Sequence, residues 1–249
     1  MCMMKIINNI VCGMLFSAAV ISTTAASATE ISATDPASPD KLKSLQLFYD
    51  EVEEDAGIQQ MRYLINSQYV RIDNGTEKSD FILFNVKTKT VYSVNHQDQT
   101  ILKIKNNQWQ LPEFAFTVTR EEQLVKDAPE IFNKPVYRYQ VKAGEQLCTQ
   151  VFLIKDVFSE NMKILHQYQQ VISGQQVAML NNTPVDMQTP CFLVDQVYHK
   201  GEYYKSGLPV QITYDRGYAK LLNDFSEAEF AQALFVLPVG YTEYMAVTQ

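Results

Sequence analysis

The sequence predicts an α+β fold in which one large, curved antiparallel β-sheet is covered by helices. The first observation is a run of short segments in which apolar and polar residues alternate, as in half-buried strands. The second is that most of these segments are separated by only a few turn residues, which is typical of hairpins. The third is that helical patterns occur only before and after this run, so strands and helices are segregated along the chain.

The composition is that of a folded, acidic protein. The chain has 249 residues, of which 46% are hydrophobic, and it contains 14 Tyr and 13 Phe. Such a composition indicates a packed core rather than disorder. With 28 acidic and 21 basic side chains the formal charge is −7. An acidic surface is repelled by phosphate backbones, which argues against nucleic acid as a partner.

Residues 1–28 are predicted to be a secretory signal peptide. A short basic region ends at Lys5, an apolar stretch covers 10–21, and Ala26-Ser27-Ala28 matches the A-x-A pattern of signal-peptidase sites. The apolar stretch is shorter than the roughly 20 residues that a membrane-spanning helix needs. We therefore expect a periplasmic or secreted protein, cleaved near Ala28 and not integral to the membrane. The alternative interpretation of residues 1–28 is a buried or amphipathic first helix.

The mature chain is predicted to be one domain. Residues 29–37 are rich in Thr, Ser, Ala and Pro and are typical of a linker, so the α+β domain is expected to cover 38–249. This length, about 210 residues, can bury one core but is short for two domains.

The cysteines predict a disulfide. Cys2 and Cys12 fall within the signal peptide, which leaves Cys148 and Cys191 as a pair in an oxidising compartment. A bridge between them would close a loop of about 43 residues and stabilise the fold by roughly 3–4 kcal/mol. The alternative is two separate buried thiols.

The first folded element is predicted to be a helix. Ser38 is a good N-cap and Pro39 is favoured at the first helical position. Apolar residues follow at helical spacing, and Gly57 would end the helix. These apolar residues are Leu42, Leu45, Phe48, Tyr49 and Val52.

A series of about eight strands is expected next, because the alternation of apolar and polar residues has a period of two. The predicted strand segments are 61–73, 81–86, 90–94, 100–104, 109–119, 136–142 and 147–154.

The last third of the chain predicts helices and one further hairpin. Apolar residues at helical spacing predict a helix over 160–172, and Thr189-Pro190 predicts the start of a short second helix. The Asp215-Arg216-Gly217 segment is typical of a hairpin turn. Residues 226–229 match a capping box and predict a last short helix.

Several of these segments resemble a known family. The resemblance rests on Arg71-Ile72-Asp73-Asn74-Gly75, residues 84–94, residues 100–104, and the tail Leu237-Pro238-Val239-Gly240-Tyr241. In content and order they resemble the exported DUF4412-type proteins and, more distantly, the LolA/LolB-like lipoprotein-carrier superfamily. The resemblance implies a half-open β-barrel around helices, whose concave apolar face can hold a lipid or acyl chain. It implies no catalytic residues.

Motifs of enzymes and of cofactor or metal sites are lacking in the sequence. His96, His166 and His199 lie in separate segments without metal-ligand spacing, and we interpret each as a surface or packing residue. There is no nucleophile elbow and no glycine-rich phosphate loop. The sequence therefore predicts neither an enzyme nor a cofactor, with a hydrolase as the least favoured hypothesis.

A group of tyrosines provides the candidate binding residues. As core or rim of the sheet they need no function, whereas as the lining of a groove they would contact an apolar ligand. We therefore predict a binding or carrier domain for a lipid or other apolar ligand. The alternative is a structural or interaction module that contacts an envelope protein. The tyrosines are Tyr198, Tyr203, Tyr204, Tyr214 and Tyr218.

Overall fold

The structure is a computed structural model that describes residues 40–53, 57–76, 78–106, 109–111, 113 and 116–246. The predicted signal peptide, its cleavage site and the linker therefore lie outside the described residues. None of the helices in the described part of the chain combines the length and apolar character needed to cross a bilayer.

The described residues form one large sheet of 12 strands in the order β12-β6-β5-β4-β3-β2-β1-β11-β10-β9-β8-β7. Neighbouring strands are antiparallel except β12, which runs parallel to β6, so the sheet is mixed rather than wholly antiparallel. It does not close, since β7 and β12 are its edges. The strands are β1 Lys41–Glu53, β2 Gly57–Ile65, β3 Tyr69–Asp73, β4 Phe81–Asn85, β5 Thr90–Asn95, β6 Thr100–Lys105, β7 Val118–Leu124, β8 Val136–Ala143, β9 Gln146–Ile154, β10 Leu208–Tyr214, β11 Ala219–Ala231 and β12 Thr242–Met245.

The helices lie between β9 and β10. The long helix α1 covers Ser159–Met179 and the short helix α2 covers Pro190–Leu193. A π-helical turn, Val194–Tyr198, continues from α2. Both helices were predicted, and Thr189 caps α2 as expected, because its side chain accepts a hydrogen bond from the Phe192 amide. The 3₁₀ turns are Leu180–Asn182, Val185–Met187, Glu202–Lys205 and Gln232–Phe235.

The predicted first helix is wrong. Residues 41–53 and 57–65 form the antiparallel strands β1 and β2, and β1 also pairs with β11. Leu45, Leu47 and Tyr49 are all buried, and their spacing of two places them on one face of a strand. The apolar residues of β1 are thus compatible with the period of a helix and with that of a strand. Pairing with β11 on one side and β2 on the other favours the strand.

The predicted last helix is also wrong. Residues 226–229 lie within β11, where Ser226 pairs with Gln46 of β1. The capping-box pattern expresses only a local preference for the start of a helix. The backbone hydrogen bonds that this segment forms with β1 stabilise the strand more than that preference favours a helix. The helical segment that does occur nearby is the 3₁₀ turn Gln232–Phe235.

Most of the central strands lie where they were predicted, with two differences. The segment 61–73 is divided between β2 and β3 by a turn held by Asn66, whose side-chain oxygen accepts hydrogen bonds from the Gln68 and Tyr69 amides. The segment 109–119 contributes only the start of β7, which extends to Leu124. All but the first residue of β7 are exposed, so this edge strand carries little of the alternation that a half-buried strand shows.

The sheet is covered on both faces. α1 packs against the face formed by Leu45, Leu47 and Tyr49, here called the helix-covered face, and buries Met162 and Leu165 there. On the opposite face, Phe235 packs in a smaller cluster supplied by β2, β4, β5 and β6. The helix-covered face holds the larger core and most of the predicted site residues.

Candidate functional site

Four of the five predicted tyrosines meet on the helix-covered face beside the β10–β11 turn. Tyr214 ends β10, Tyr218 precedes β11, and Tyr203 and Tyr204 come from the 3₁₀ turn Glu202–Lys205. The Tyr203 and Tyr214 hydroxyls are 3.2 Å apart. The rings of Tyr203 and Tyr204 are 4.7 Å apart, and those of Tyr214 and Tyr218 stack at 5.5 Å. Together these four residues are called the tyrosine cluster below.

Tyr198 lies apart from this cluster. Its ring packs edge-on against Phe116 at 6.4 Å, in a separate apolar group with Leu180 and Phe192. Although Tyr198 is close in sequence to Tyr203, it does not join the tyrosine cluster. The π-helical turn places its side chain near the end of α1 instead.

A buried ion pair adjoins the tyrosine cluster. Lys220 Nζ lies 2.6 Å from Glu51 Oε1, and the two side chains are only 17% and 16% exposed. The Tyr218 hydroxyl donates to Glu51 Oε2 at 2.6 Å. The Tyr63 hydroxyl donates to Glu51 Oε1 at 3.1 Å and accepts from Lys220 Nζ at 2.9 Å. The Glu51 carboxylate and the Lys220 ammonium are thus held by each other and by two phenols.

Sequence reasoning missed this pair. Glu51 belonged to a predicted helix, and nothing local relates it to Lys220. The two residues are partners in the β1–β11 register. Glu51 also continues the face of Leu47 and Tyr49, since alternate side chains of a strand share a face. The alternation of buried residues in β1 could have placed Glu51 on this face, but nothing in the sequence identifies β11 as the strand that pairs with β1.

The electrostatics of the pair follow from its burial. Burial alone would raise the pKa of Glu51, but the charge and hydrogen bonds of Lys220, with those of Tyr218 and Tyr63, lower it overall. Burial would lower the pKa of Lys220, and the Glu51 charge raises it well above its usual value. Burial raises the phenol pKa values of Tyr203, Tyr204, Tyr214 and Tyr218. The pair is therefore charged and the phenols are neutral at physiological pH.

The segment 189–205 is held over β9 by several contacts. The predicted disulfide between Cys148 and Cys191 is confirmed, with their Cα atoms 4.9 Å apart. The Thr149 hydroxyl donates to Asp195 Oδ1, and Arg120 Nε of β7 donates to His199 Nε2. These contacts tie the π-helical turn to the sheet, and the segment is called the strapped segment below.

Gly201 lets the strapped segment pass close to α1. It adopts φ +73°, and a Cβ atom there would lie 2.5 Å from Gln169 Cβ. Any larger residue would push the segment away from the helix, because a left-handed conformation and this proximity both favour glycine. The turn that presents Tyr203 and Tyr204 begins at this glycine.

Two buried polar atoms of the strapped segment have no hydrogen-bond partner within the described part of the chain. They are Asp195 Oδ2 and His199 Nδ1, on residues that are 3% and 4% exposed. Burial raises the pKa of Asp195 to about 7. Burial, with the Arg120 charge, lowers the pKa of His199 to about 4. Burial of these two groups disfavours the charged form of each.

Cationic side chains collect beside these groups. Lys200 Nζ donates to the Gln196 amide oxygen at 2.7 Å. No carboxylate among the described residues lies within ion-pair distance of Lys200 or Arg216. The Arg216 guanidinium lies 6.0 Å from the centre of the Phe192 ring. Burial, then the charges of Lys220 and Arg216, lower the pKa of Lys200 to about 8.

A small cleft opens where β9 begins and β10 ends. Its volume is about 120 Å³, and its lining includes Tyr214 and Asp215. Cys148 also lines it, so the cleft borders both the disulfide and the tyrosine cluster.

The other histidines make separate contacts. His166 on α1 bonds Glu202 at 2.9 Å, and this bond is the main reason that the pKa of Glu202 falls to about 2. No group of three His, Cys, Asp or Glu side chains among the described residues is arranged to hold a metal ion.

The residues that carry the family resemblance are divided between the two faces of the sheet: Phe84, Val91 and Ile104 belong to the core of the helix-covered face, whereas Arg71 and Tyr241 contact the smaller cluster on the opposite face. Asp73 accepts hydrogen bonds from Arg62 and from Arg71. In the C-terminal tail, the Tyr241 hydroxyl lies 2.8 Å from His96 Nδ1. These contacts fasten strands and tail rather than form a pocket. Neither a protein-family model nor a curated protein matches the chain, and the resemblance stays a prediction.

Proposed function

We propose that the mature domain is an exported binding or carrier protein for a lipid or other amphipathic ligand. The apolar part of the ligand occupies the helix-covered face, which acts as the concave side of a half-open barrel. The polar part of the ligand lies at the tyrosine cluster. The protein works by binding, without catalysis.

The observation that carries this proposal is the uneven distribution of polarity on the helix-covered face. Along β1, Leu45, Leu47 and Tyr49 are buried among apolar residues, and then Glu51 meets Lys220 among phenols. Binding sites for small molecules are mostly apolar with a few well-placed polar groups. Phenols suit such a site, because each combines a large apolar ring with a hydroxyl.

The ion pair at Lys220 also supports a role other than stability. Removing two charges from water costs several kcal/mol per ion, and apolar residues of the same volume would often serve the fold as well. A buried pair at one end of an apolar face is useful where a polar ligand group must be received.

Helix α1 is the element that would give way to the ligand. It covers the apolar face with Met162, Leu165 and Tyr168. Just before it, Asp156 and Phe158 have left-handed φ values of 58° and 50°, which costs on the order of 1 kcal/mol per residue. Relief of this strain would partly offset the cost of displacing α1. The strapped segment would stay in place, because the disulfide holds it.

Native mass spectrometry of the mature protein, purified without detergent, tests the proposal. We expect a fraction of the protein to carry one lipid-sized adduct that solvent extraction removes. The extracted protein should then bind 1-monolauroyl glycerol in calorimetry. Tyr214→Ala should weaken this binding, whereas Tyr244→Ala, an exposed tyrosine on β12, should not. Adduct-free spectra together with no heat of binding would overturn the proposal.

A second candidate function is an envelope interaction module, and one observation favours it. The edge strand β12 exposes Tyr244 and Met245 by 55% and 52%, and the nearby Val239 by 97%. An exposed apolar edge can accept a strand from a partner protein. Co-purification of an envelope protein that is lost with Tyr244→Lys, but retained with Tyr214→Ala, would support this function over lipid binding.

A further inference from the structure

His199 joins the strapped segment to the edge strand β7 through its side chain. Arg120 Nε donates a hydrogen bond to His199 Nε2. A guanidinium N–H only donates, so His199 Nε2 has to be the acceptor and has to be unprotonated. A neutral imidazole whose Nε2 accepts carries its proton at Nδ1. The bond to Arg120 therefore selects one tautomer of the neutral ring.

Among the described residues, His199 has no acceptor for a second ring proton. The residue is only 4% exposed, and His199 Nδ1 lacks a hydrogen-bond partner in that part of the chain. A protonated ring would direct its Nε2 proton at a guanidinium that cannot accept it, and its Nδ1 proton would stay unpaired. A buried charge without hydrogen bonds is strongly unfavourable. The closed arrangement is therefore incompatible with a protonated ring.

The charges around His199 act in both directions. Arg120 from β7 and Lys205 from the following 3₁₀ turn oppose protonation, whereas Glu202 favours it. The Glu202 carboxylate is already engaged, because it accepts from His166 Nε2 of α1 at 2.9 Å and from Lys205 Nζ at 2.8 Å. Burial, and then the Arg120 charge, lower the pKa of His199 to about 4.

Two other titratable groups of this region do not supply the missing partner. Burial raises the phenol pKa of Tyr139 on β8, so its ring stays neutral. Asp195 lies near the first residue of the π-helical turn and accepts from the Thr149 hydroxyl of β9. The disulfide holds that end of the strapped segment to β9. An opening at His199 therefore leaves Asp195 in place.

We propose that His199 is an acid-sensitive latch, and that protonation of its ring breaks the bond with Arg120 and opens the strapped segment at residues 199–205. Arg120 lies on the exposed edge strand, so its guanidinium turns toward solvent once the bond is lost. His199 reaches solvent only if the segment itself moves. Because this stretch carries Tyr203 and Tyr204, acid loosens the tyrosine cluster. The inference goes beyond the proposed function, since the latch acts without a ligand.

Hydrogen exchange at single residues measures the opening. The Glu202 and Tyr204 amides donate to the carbonyls of His199 and Gly201 at 3.1 Å each, so their protection factors report whether this stretch is closed. The pKa of His199 is about 4 when closed against an ordinary value of 6.5. Each pH unit between these values favours the open form by about tenfold, because opening takes up one proton. The latch is therefore closed above about pH 6.5 and weakens as the pH falls toward about 4.

His199→Gln is the decisive variant, since its amide oxygen still accepts from Arg120 but takes up no proton. From pH 7 to pH 4.5, protection of the two amides in the wild type should fall at least roughly tenfold relative to this variant. Asp195 titrates over part of the same range, but it is present in both proteins and its effect cancels in the ratio. His96→Gln is the matched control. It removes a histidine of the β5–β6 turn that bonds Tyr241 and should keep the wild-type response.

Arg120→Met tests the partner of the latch. It should lower the protection of the two amides at least roughly fivefold already at pH 7, as expected when a hydrogen bond is lost. The amides of β1 and β2 should stay protected in every protein at both pH values, which separates local opening from unfolding.

Several results would overturn the latch. One is an equal response to pH in the wild type and His199→Gln, and another is unchanged protection in Arg120→Met at pH 7. A third is equal loss of protection in β1 and β2. The wild type alone provides a further test by nuclear magnetic resonance, since a His199 ring that titrates near pH 6.5 while the Glu202 and Tyr204 amides stay protected would also exclude the latch.

Discussion

Lys220 and Glu51 face each other across the β1–β11 pair, with Nζ and Oε1 2.6 Å apart and both side chains largely buried. They lie 169 residues apart in sequence. Each charge is tolerated in this place only because the other is present, since the neighbouring phenols are neutral donors and acceptors. Removing one partner therefore differs sharply from removing both.

Lys220→Met should lower the free energy of unfolding by about 3–5 kcal/mol, because it leaves the Glu51 carboxylate buried without a counter-ion. The double variant Lys220→Met/Glu51→Gln should regain most of this loss. Urea denaturation at pH 7 measures both. Lys43→Met breaks an exposed ion pair with Glu227 on the same two strands and should cost under about 1 kcal/mol. A Lys220 variant no less stable than the Lys43 variant would contradict the buried pair.

Replacing both cysteines of the disulfide, in Cys148→Ser/Cys191→Ser, should lower the free energy of unfolding by about 4 kcal/mol. The bridge closes a loop with a sequence separation of 43 residues, and its loss restores that much freedom to the unfolded chain. Denaturation of the wild type with and without dithiothreitol provides the comparison. Alkylation of two thiols in the unreduced mature protein would show that the bridge is absent.

Asp195 should make stability fall as the pH rises. Its pKa is about 7 in the folded protein against an ordinary value of 3.8, so the folded state binds the extra proton between these values. The contribution to stability is full below about pH 4 and is lost as the pH rises to about 7. The Thr149 hydroxyl donates a hydrogen bond to the carboxyl, and the charges of Asp215, Arg216 and Lys200 also act on its pKa.

The variant Asp195→Asn keeps the shape and removes the ionisation. We expect it to be more stable than the wild type at pH 8, with a smaller dependence on pH between 4 and 7. Thermal unfolding across this range measures the difference. Asp186→Asn changes an exposed carboxylate and should follow the wild-type curve. Identical pH profiles for Asp195→Asn and wild type would rule out a buried, proton-binding Asp195.

Arg71 should control how tightly the C-terminal segment is held. Its guanidinium donates to the Leu234 carbonyl at 2.7 Å and lies 3.8 Å from the centre of the Phe81 ring. Arg71→Leu should cost about 1.5–3 kcal/mol, as expected for a lost hydrogen bond to a charged group. Hydrogen exchange should become faster in residues 232–246.

A matched control for Arg71 is Arg138→Leu, which removes an exposed guanidinium that bonds the Gln123 side chain. It should leave exchange in the C-terminal segment unchanged. Equal exchange in all three proteins would show that the segment is held mainly by apolar contacts such as that of Phe235.

The sequence predicted those features that depend on neighbours along the chain. The hairpins of the central sheet need only a few turn residues, and the cap of α2 needs only Thr189 and Pro190. The Cys148–Cys191 bridge followed from counting cysteines. The prediction of a first helix was wrong, because Tyr49 and its neighbours fit both a helical and a strand period. Only the pairing with β11 decides for the strand. The candidate site was predicted in part. Tyr198 is close to Tyr203 and Tyr204 in sequence, but it lies apart from them in the structure.

By itself, then, the sequence determined a sheet-dominated fold, the helices between β9 and β10, and the disulfide, because these arise from local periodicity, turn chemistry and composition. Only the tertiary structure decided that residues 41–53 form a strand and that Glu51 meets Lys220. Each of these depends on contacts between segments far apart in the chain. Their energies come from strand pairing and desolvation, which no local window of residues contains.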